Sequence, residues 1–261
     1  MADSSFSSPT ANLFHVWLPV IGSLSGLVTI VIVYVLTWQG GHLPPQVTTP
    51  PISLLRCQEP EHTAYQIGFS VTGLVLANVI YNWTHVFFSP IARSFGIYTA
   101  WIMRGGAYVA VLGLVGQGVV TLQEDLLEQL QKQGGKFSKQ SVYHQLLAAI
   151  FFLGAAVHCY TTVYYALSSS SSSGSCCCYG TWSIRIKCLC VCTSLLSWPL
   201  GEMLHPTRHA NQDDWNIGGL AQYIAVGSYI AFFGSYALDF VNRDMITTAV
   251  NNAKDRKEKS L

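Results

Sequence analysis

Four polar side chains that could bind a charged or hydroxylated ligand lie close together in the first quarter of the chain. The stretch PPISLLRCQEPEH contains Ser53, Arg56, Glu59 and Glu61. The two carboxylates could hold an amine or position a hydroxyl, and Arg56 could pair with either acid or make a bidentate contact with a phosphate. The alternative for each glutamate is a solvated loop acid with no ligand.

Three further candidates lie beside or within apolar runs, at Arg104, His144 and Glu202. An imidazole changes charge near neutral pH, so His144 could bind a ligand or transfer a proton, or simply cap a helix. Arg104 needs an acidic partner, a cavity or a route to the edge of its apolar run. Glu202 could face Glu61 and His144 if the helices that carry them meet, which the sequence alone does not establish.

Several kinds of chemistry have no support in these residues. The sequence lacks a glycine-rich phosphate loop and a Cys/His array with zinc-finger spacing, so no cofactor and no metal site is predicted. The formal net charge of +1 offers no polycation for nucleic acid. No catalytic signature accompanies the candidates, which leaves the question of an enzyme open, with the residues favouring a non-enzymatic protein.

The distribution of charge decides the class of protein. Only 10% of the residues are charged, against about 25% in a soluble domain. No Asp, Glu, Lys or Arg occurs between Asp3 and Arg56, between Glu61 and Arg93, or between Lys139 and Arg185. A bilayer span needs roughly 20 mainly apolar residues, and each of these gaps is longer. The chain is predicted to be an integral membrane protein.

The apolar runs predict an all-α, polytopic membrane helix bundle with six transmembrane helices, since each helix satisfies its own backbone hydrogen bonds in lipid. The fifth run is the weakest, because its uncharged part between Lys187 and Glu202 is short and contains Pro199. It spans if Arg185 and Lys187 extend their charged groups to the membrane edge, and five spans are the alternative. The predicted spans are Leu13–Trp38, Ala64–Phe88, Ile97–Leu122, Tyr143–Leu167, Ile184–Leu204 and Trp215–Phe240.

Basic residues in the flanks predict the orientation. With six spans, eight Lys and Arg residues fall on the side of the two termini and five on the side of the 39–63 segment. This bias places an N-tail of residues 1–12 and a C-tail of residues 241–261 in the cytosol, on either side of a transmembrane domain of residues 13–240. The 39–63 segment, which we call loop one, then lies on the lumenal or extracellular side, and its prolines predict an extended conformation.

Other polar residues have local interpretations. Asp239 is predicted to pair with Arg243 one helical turn later, and His158 to be a packed, hydrogen-bonded residue within a helix. The cytosolic segment SSSSSSGSCCCYG combines a serine linker with Cys176, Cys177 and Cys178 near the membrane edge. Cysteines at that position can be palmitoylated.

Three segments resemble the Frag/DRAM/Sfk family of six-span membrane proteins. PPISLLRCQEPEHTAYQIGF is similar to the first lumenal loop and second span of that family, through Pro51, Ile52, Ser53, Glu59, Pro60 and Glu61. YHQLLAAIFFLGAAVHCYTTVYY resembles the family's fourth span, and AQYIAVGSYIAFFGSYALDF resembles its last span. The sequence departs from the family where Leu54 follows Ser53 in place of an acidic residue.

The resemblance implies six spans with cytosolic termini and a location in the Golgi or ER, the lysosome or the plasma membrane. It also implies recognition of membrane lipid, as in the members that remodel the lipid of glycosylphosphatidylinositol (GPI) anchors. The head-group candidates are then Ser53, Arg56, Glu59, Glu61, Arg104, His144 and Glu202.

Two other functions stay open. The resemblance also includes autophagy modulators, so the chain could be a non-enzymatic membrane adaptor that meets membrane-protein or cytosolic partners through its cytosolic loops. A transporter is the third possibility, and few buried charges and no detected inverted repeat weigh against it.

Overall fold

Six long helices make up the protein in the computed structural model, which describes residues 9–43, 45–56, 58–120, 139–170, 180–204 and 212–243. The described residues contain no strand, which confirms the all-α prediction. After a turn at Ser235 the last helix continues over residues 236–243. The helices are α1 (Pro9–Gly40), α2 (Glu61–Phe95), α3 (Ile97–Val119), α4 (Lys139–Ser170), α5 (Thr181–Met203) and α6 (Gln212–Gly234).

The outer surface of the bundle is apolar. Leu196 is 78% exposed, and Leu112 and Leu189 are each 68% exposed, which suits contact with lipid chains and not with water. Each of the six helices contains a stretch long and apolar enough to cross a membrane, as predicted. The weak fifth run is one continuous helix of 23 residues that passes through Pro199, about 35 Å long at 1.5 Å per residue.

The helices form a closed ring. Each packs against its neighbour in sequence, and α6 returns to pack against α1. The α3–α4 pair makes the most extensive contact, while α1–α6 and α4–α5 are the least extensive seams. The ring has two ends, which we call the loop-one end and the opposite end, where α2 turns into α3 at Gly96.

The α3–α4 contact is close because glycines replace side chains along it. A Cβ on Gly113 would lie 2.4 Å from the backbone nitrogen of Phe151, and a Cβ on Gly154 would lie 2.6 Å from the backbone nitrogen of Ala110. Backbones cannot approach to this distance with any larger residue between them. The position of α4, and of every side chain that it presents to the ring, depends on these two residues.

Aromatic side chains fill the ring toward the opposite end. The ring centroids of Trp83 and Phe87 lie 5.6 Å apart, and those of Trp83 and Tyr236 lie 5.5 Å apart. His158 is fully buried among them; its Nδ1 donates to the carbonyl of Met103 at 2.7 Å, so its Nε2 accepts a short hydrogen bond from the Tyr236 hydroxyl. His158 is therefore a packed helix residue, as predicted.

A buried ion pair joins α5 to the end of α6 in the same half of the bundle. Lys187 Nζ lies 2.7 Å from Asp239 Oδ2, and both side chains are 0% exposed. Ser183 Oγ donates to Asp239 Oδ1 at 2.5 Å and accepts from Lys187 Nζ at 2.6 Å. Two predictions are wrong here: Asp239 pairs with Lys187 and not with Arg243, and Lys187 does not extend to the membrane edge. A buried carboxylate needs a cation that is buried with it, and Arg243 lies at the exposed helix end.

The α3–α4 contact gives the first prediction. Gly113→Ala should lower the free energy of unfolding by about 1–3 kcal/mol, because the added methyl group meets backbone that cannot move aside alone. Gly105→Ala is the matched control on the same helix, since a Cβ there meets nothing within 4 Å, and it should be neutral or stabilising by up to about 1 kcal/mol. Unfolding midpoints in mild detergent measure both; equal effects would contradict the packing described.

The Lys187–Asp239 ion pair gives the second prediction. Lys187→Met and Asp239→Leu should each lower the free energy of unfolding by about 3–5 kcal/mol, because each leaves one charge buried without its partner. The double variant should recover most of that loss, since no buried charge remains. Additive losses in this double-mutant cycle would show that the two side chains do not interact.

Candidate functional site

Loop one folds back over its end of the bundle. Residues Ile52–Arg56 form a short 3₁₀ helix, which corrects the predicted extended conformation. Its Leu54 and Leu55 are 2% and 0% exposed, and the Thr37 hydroxyl donates to the carbonyl of Leu55 at 2.7 Å. Burying two leucines favours this turn over the extended form that the flanking prolines alone would favour.

Asn216, in the first turns of α6, fastens the preceding part of loop one. Its side-chain oxygen accepts from the backbone N–H groups of Thr48 and Thr49, both at 2.8 Å, and its amide donates to the carbonyl of Gln46 at 3.0 Å. A Cβ on Gly219 would lie 1.9 Å from the Thr49 carbonyl oxygen, so only glycine permits this approach. Loop one is therefore a fixed wall of the site that lies beneath it.

A cavity whose walls combine polar and apolar side chains, which we call the polar cavity, lies under loop one in the centre of the ring. Its empty volume, including space open to the outside, is about 460 Å³. Ser53, His144 and Glu202, three of the predicted head-group residues, line it together from loop one, α4 and α5. Gln117 of α3 and Gln222 of α6 are its other polar walls, so five separate segments contribute a hydrogen-bonding group.

The geometry of His144 fixes its tautomer. The side chain is 1% exposed, and its Nδ1 lies 3.0 Å from the carbonyl oxygen of Val120 at the end of α3. A carbonyl only accepts, so Nδ1 carries a proton, and Nε2 is an acceptor in the neutral form of the ring. Together with the Glu202 carboxylate, this gives the cavity two side chains suited to a hydroxyl or an ammonium group.

Glu61 lies beside the cavity without lining it. The carboxylate is buried in the first turn of α2, where its Oε1 makes a short contact with Nδ1 of His42, at the start of loop one. Its Oε2 has no hydrogen-bond partner among the described residues. Tyr65, one turn later on the same helix, does line the cavity. Glu61 therefore holds the start of α2 to loop one, and it reaches the cavity only through the position of its helix.

The other predicted residues lie elsewhere. Glu59 is exposed and accepts from the Thr63 hydroxyl at 3.1 Å, at the start of α2. Arg104 lies in α3 near the opposite end of the bundle. The Arg56 side chain and the palmitoylation candidates Cys176, Cys177 and Cys178 lie outside the described residues.

An apolar cavity adjoins the polar one. Phe69, Leu114, Phe151 and Val226 line both. The apolar cavity has an empty volume of about 360 Å³ and extends between α1, α2 and α6. Its remaining walls are Gly22, Ser23, Gly26, Thr72, Leu76, Tyr229, Ile230 and Phe233. The site as a whole has a polar end under loop one and an apolar end within the membrane-spanning part.

The sequence interpretation missed three polar residues at this end, which are His42, Gln117 and Gln222. Both glutamines interrupt apolar runs, in GLVGQGVV and GLAQYIAV. A polar side chain within a span usually faces the bundle interior and is often functional, so that rule could have identified them. His42 carried no comparable signal, because a histidine in a polar loop needs no partner. Among the described residues, no group of three or more His, Cys, Asp or Glu side chains could hold a metal ion.

Fold and site together define a polytopic helical membrane protein with a central amphipathic cavity at one end. Residues 14–242 match the family described as the Frag1/DRAM/Sfk1/Cwh43P N-terminal domain. That match covers most of the chain, and the chain belongs to this family, as its motifs predicted. Comparison with curated proteins and with solved structures found no match.

The His42–Glu61 contact gives the third prediction. His42→Ala should lower the free energy of unfolding by about 1–3 kcal/mol, because it leaves a buried carboxylate without its hydrogen-bond partner. The double variant His42→Ala/Glu61→Met should recover stability. Glu59→Gln, two residues away and exposed, should change it by about 0.5 kcal/mol or less. Thermal unfolding in detergent measures the stability of all three variants. A His42→Ala protein with wild-type stability would contradict the His42–Glu61 contact.

Proposed function

We propose that this chain binds a membrane lipid, with the head group in the polar cavity and an acyl chain in the apolar one, and that it serves GPI-anchor lipid remodelling. The observation that carries the proposal is the set of walls shared by the two cavities. A ligand that occupies both must be polar at one end and apolar at the other. Membrane lipids have this character, and the protein lies among them.

The polar walls favour a head group with hydroxyl or ammonium donors. Glu202 supplies a carboxylate and His144 an acceptor nitrogen, while Ser53, Gln117 and Gln222 both donate and accept. None of the described residues that line this cavity is a Lys or Arg. The glycan of a GPI anchor offers hydroxyl and amine groups of this kind, which supports an anchor lipid over a lipid whose head group is phosphate alone.

The assignment to GPI-anchor lipid remodelling is based on the family. The chain belongs to a family in which GPI-anchor lipid-remodelling factors occur, as its motifs imply. The proposal assigns the chain a lipid-binding step and no nucleophile. It places loop one and the cavity on the lumenal side, both termini in the cytosol, and the protein in the endomembrane system or the plasma membrane.

The alternative is an adaptor or autophagy modulator that acts through its cytosolic segments. Those segments, residues 171–179 and 244–261, lie outside the described residues, so nothing in the geometry favours it. It predicts that cavity substitutions have no effect while deletion of these segments abolishes function. It is thus an outcome that the following experiment can reveal.

Lipid that remains bound after purification in mild detergent tests the proposal. Mass spectrometry should identify lipid on the wild-type protein. The double variant His144→Ala/Glu202→Gln should retain about tenfold less, because a hydrogen bond to a charged group contributes about 1.5–3 kcal/mol. Gln145→Ala is the matched control, since Gln145 is exposed next to His144 on α4, and it should retain the wild-type amount.

Two results would overturn the proposal. Equal lipid on the wild-type protein and the double variant, with both folded by circular dichroism, would exclude the cavity as the binding site. In cells that lack the protein, unchanged lipid on GPI-anchored surface proteins would exclude the proposed process. If only the second result is obtained, the chain binds lipid for another purpose, and the adaptor function becomes the better explanation.

A further inference from the structure

Arg104 stands apart from the other charged side chains in the spans. It is the eighth residue of α3, about 10 Å along the helix from its start at the opposite end of the bundle. It makes no ion pair and no hydrogen bond with the residues described, although a guanidinium carries five N–H donors. Lys187, in the same half of the bundle, is paired with Asp239. Lys187 is therefore paired with a carboxylate inside the bundle, whereas Arg104 has no acidic partner among the described residues.

Aromatic rings surround the guanidinium. Its carbon lies 5.2 Å from the ring centroid of Trp101, 5.6 Å from that of Tyr108 and 6.0 Å from that of Phe88. Contacts with ring faces stabilise a cation and leave its N–H edges open. The guanidinium is thus held in place while its hydrogen-bonding capacity is unused by the described part of the chain.

A cleft on the outer surface adjoins this group. Its empty volume, including space open to the outside, is about 440 Å³, and Tyr81, Thr84, His85, Phe88, Ser89 and Arg104 line it. None of these residues is acidic, while Arg104, His85 and Ser89 can all donate hydrogen bonds. Trp101 and Tyr81, beside it, are more than half exposed toward the lipid-facing surface. The cleft combines an unpaired cation, further donors and an apolar border.

We propose that this cleft between α2 and α3 binds the phosphate group of a membrane phospholipid through the guanidinium of Arg104, with His85 and Ser89 as further donors. A phosphate supplies the negative charge and the acceptor oxygens that the described residues do not offer there, and a guanidinium binds it in a bidentate manner. The acyl chains would lie against the apolar surface beside Trp101. The site is separate from the cavity under loop one, so it goes beyond the proposed function and does not depend on it.

Native mass spectrometry of the detergent-solubilised protein tests the proposal, with dioleoyl phosphatidic acid as the probe. The wild-type protein should bind one molecule of dioleoyl phosphatidic acid. Its affinity for this lipid should be higher than its affinity for dioleoyl phosphatidylcholine. Arg104→Gln should weaken that binding at least about tenfold, because a charge-assisted bidentate contact is lost. The affinity of Arg104→Lys for this lipid should lie between those of the wild type and Arg104→Gln, since lysine keeps the charge but lacks the planar guanidinium.

Arg185→Gln is the matched control. Arg185 lies at the same end of the bundle and is exposed, and its guanidinium carbon lies 5.2 Å from the ring centroid of Trp182. An equal loss of binding in Arg185→Gln and Arg104→Gln would overturn the proposal, because any arginine at the membrane edge would then suffice. A folded Arg104→Gln protein that binds the lipid with the same affinity as the wild type would also overturn the proposal.

Two further arms complete the test. Ser89→Leu fills the cleft without removing the cation, and it should also lower the affinity for the lipid. This variant tests the proposal even if Arg104→Gln does not fold. Unchanged affinity in Ser89→Leu would exclude the cleft as the binding site. Inorganic phosphate at millimolar concentration should not displace the lipid. Displacement at that concentration would show a site for free phosphate and overturn the assignment to a phospholipid.

Discussion

The inability of hydrocarbon to solvate polar groups determines the arrangement of this protein. A polar side chain within a span must find its partner inside the bundle, at the membrane edge or in a bound molecule. Asp239, Lys187 and Ser183 satisfy one another, and His158 bridges the carbonyl of Met103 and the hydroxyl of Tyr236. These contacts join α3 to α4, α4 to the last helix and α5 to the last helix, so these buried polar groups also fix the positions of the helices that carry them.

The ring of helices is consequently divided into two halves with different contents. Toward the opposite end, aromatic rings and the buried ion pair fill the centre, and little space remains for a ligand. Toward the loop-one end, the helices leave two adjoining cavities, one with polar groups in its walls and one that is apolar. The packed half holds its ends of the helices at fixed positions, and the same helices line the cavities at the other end. Close contacts also occur beside the cavities, where Gly113 of α3 meets Phe151 of α4.

Sequence patterns were sufficient for the features that depend on local composition. Long gaps between charged residues predicted a membrane protein and the apolar runs predicted its six spans, since span length follows from bilayer thickness. The Asp239–Arg243 pair was wrong because helical spacing describes an exposed surface, whereas Asp239 is buried and meets a lysine 52 residues away. The prolines of loop one predicted an extended chain, and burial of Leu54 and Leu55 outweighed that preference. No local pattern could show that Ser53, His144 and Glu202 line one cavity, because their meeting depends on closure of the ring.

The ring also indicates how a lipid would reach the central site. Loop one covers the cavity from outside the membrane and is fastened to α6 through Asn216. The apolar cavity, by contrast, lies along the α1–α6 seam, one of the two least extensive contacts of the ring. Gly22, Ser23 and Gly26 line it from α1, and the Ser23 hydroxyl donates to the Ile230 carbonyl across this contact at 2.8 Å. Small residues line the α1–α6 contact from α1, whereas loop one is held by two buried leucines and by the hydrogen bonds of Asn216. If the chain binds lipid as proposed, we expect the lipid to enter sideways from the bilayer between α1 and α6, with the acyl chain already in hydrocarbon and only the head group crossing into the polar cavity.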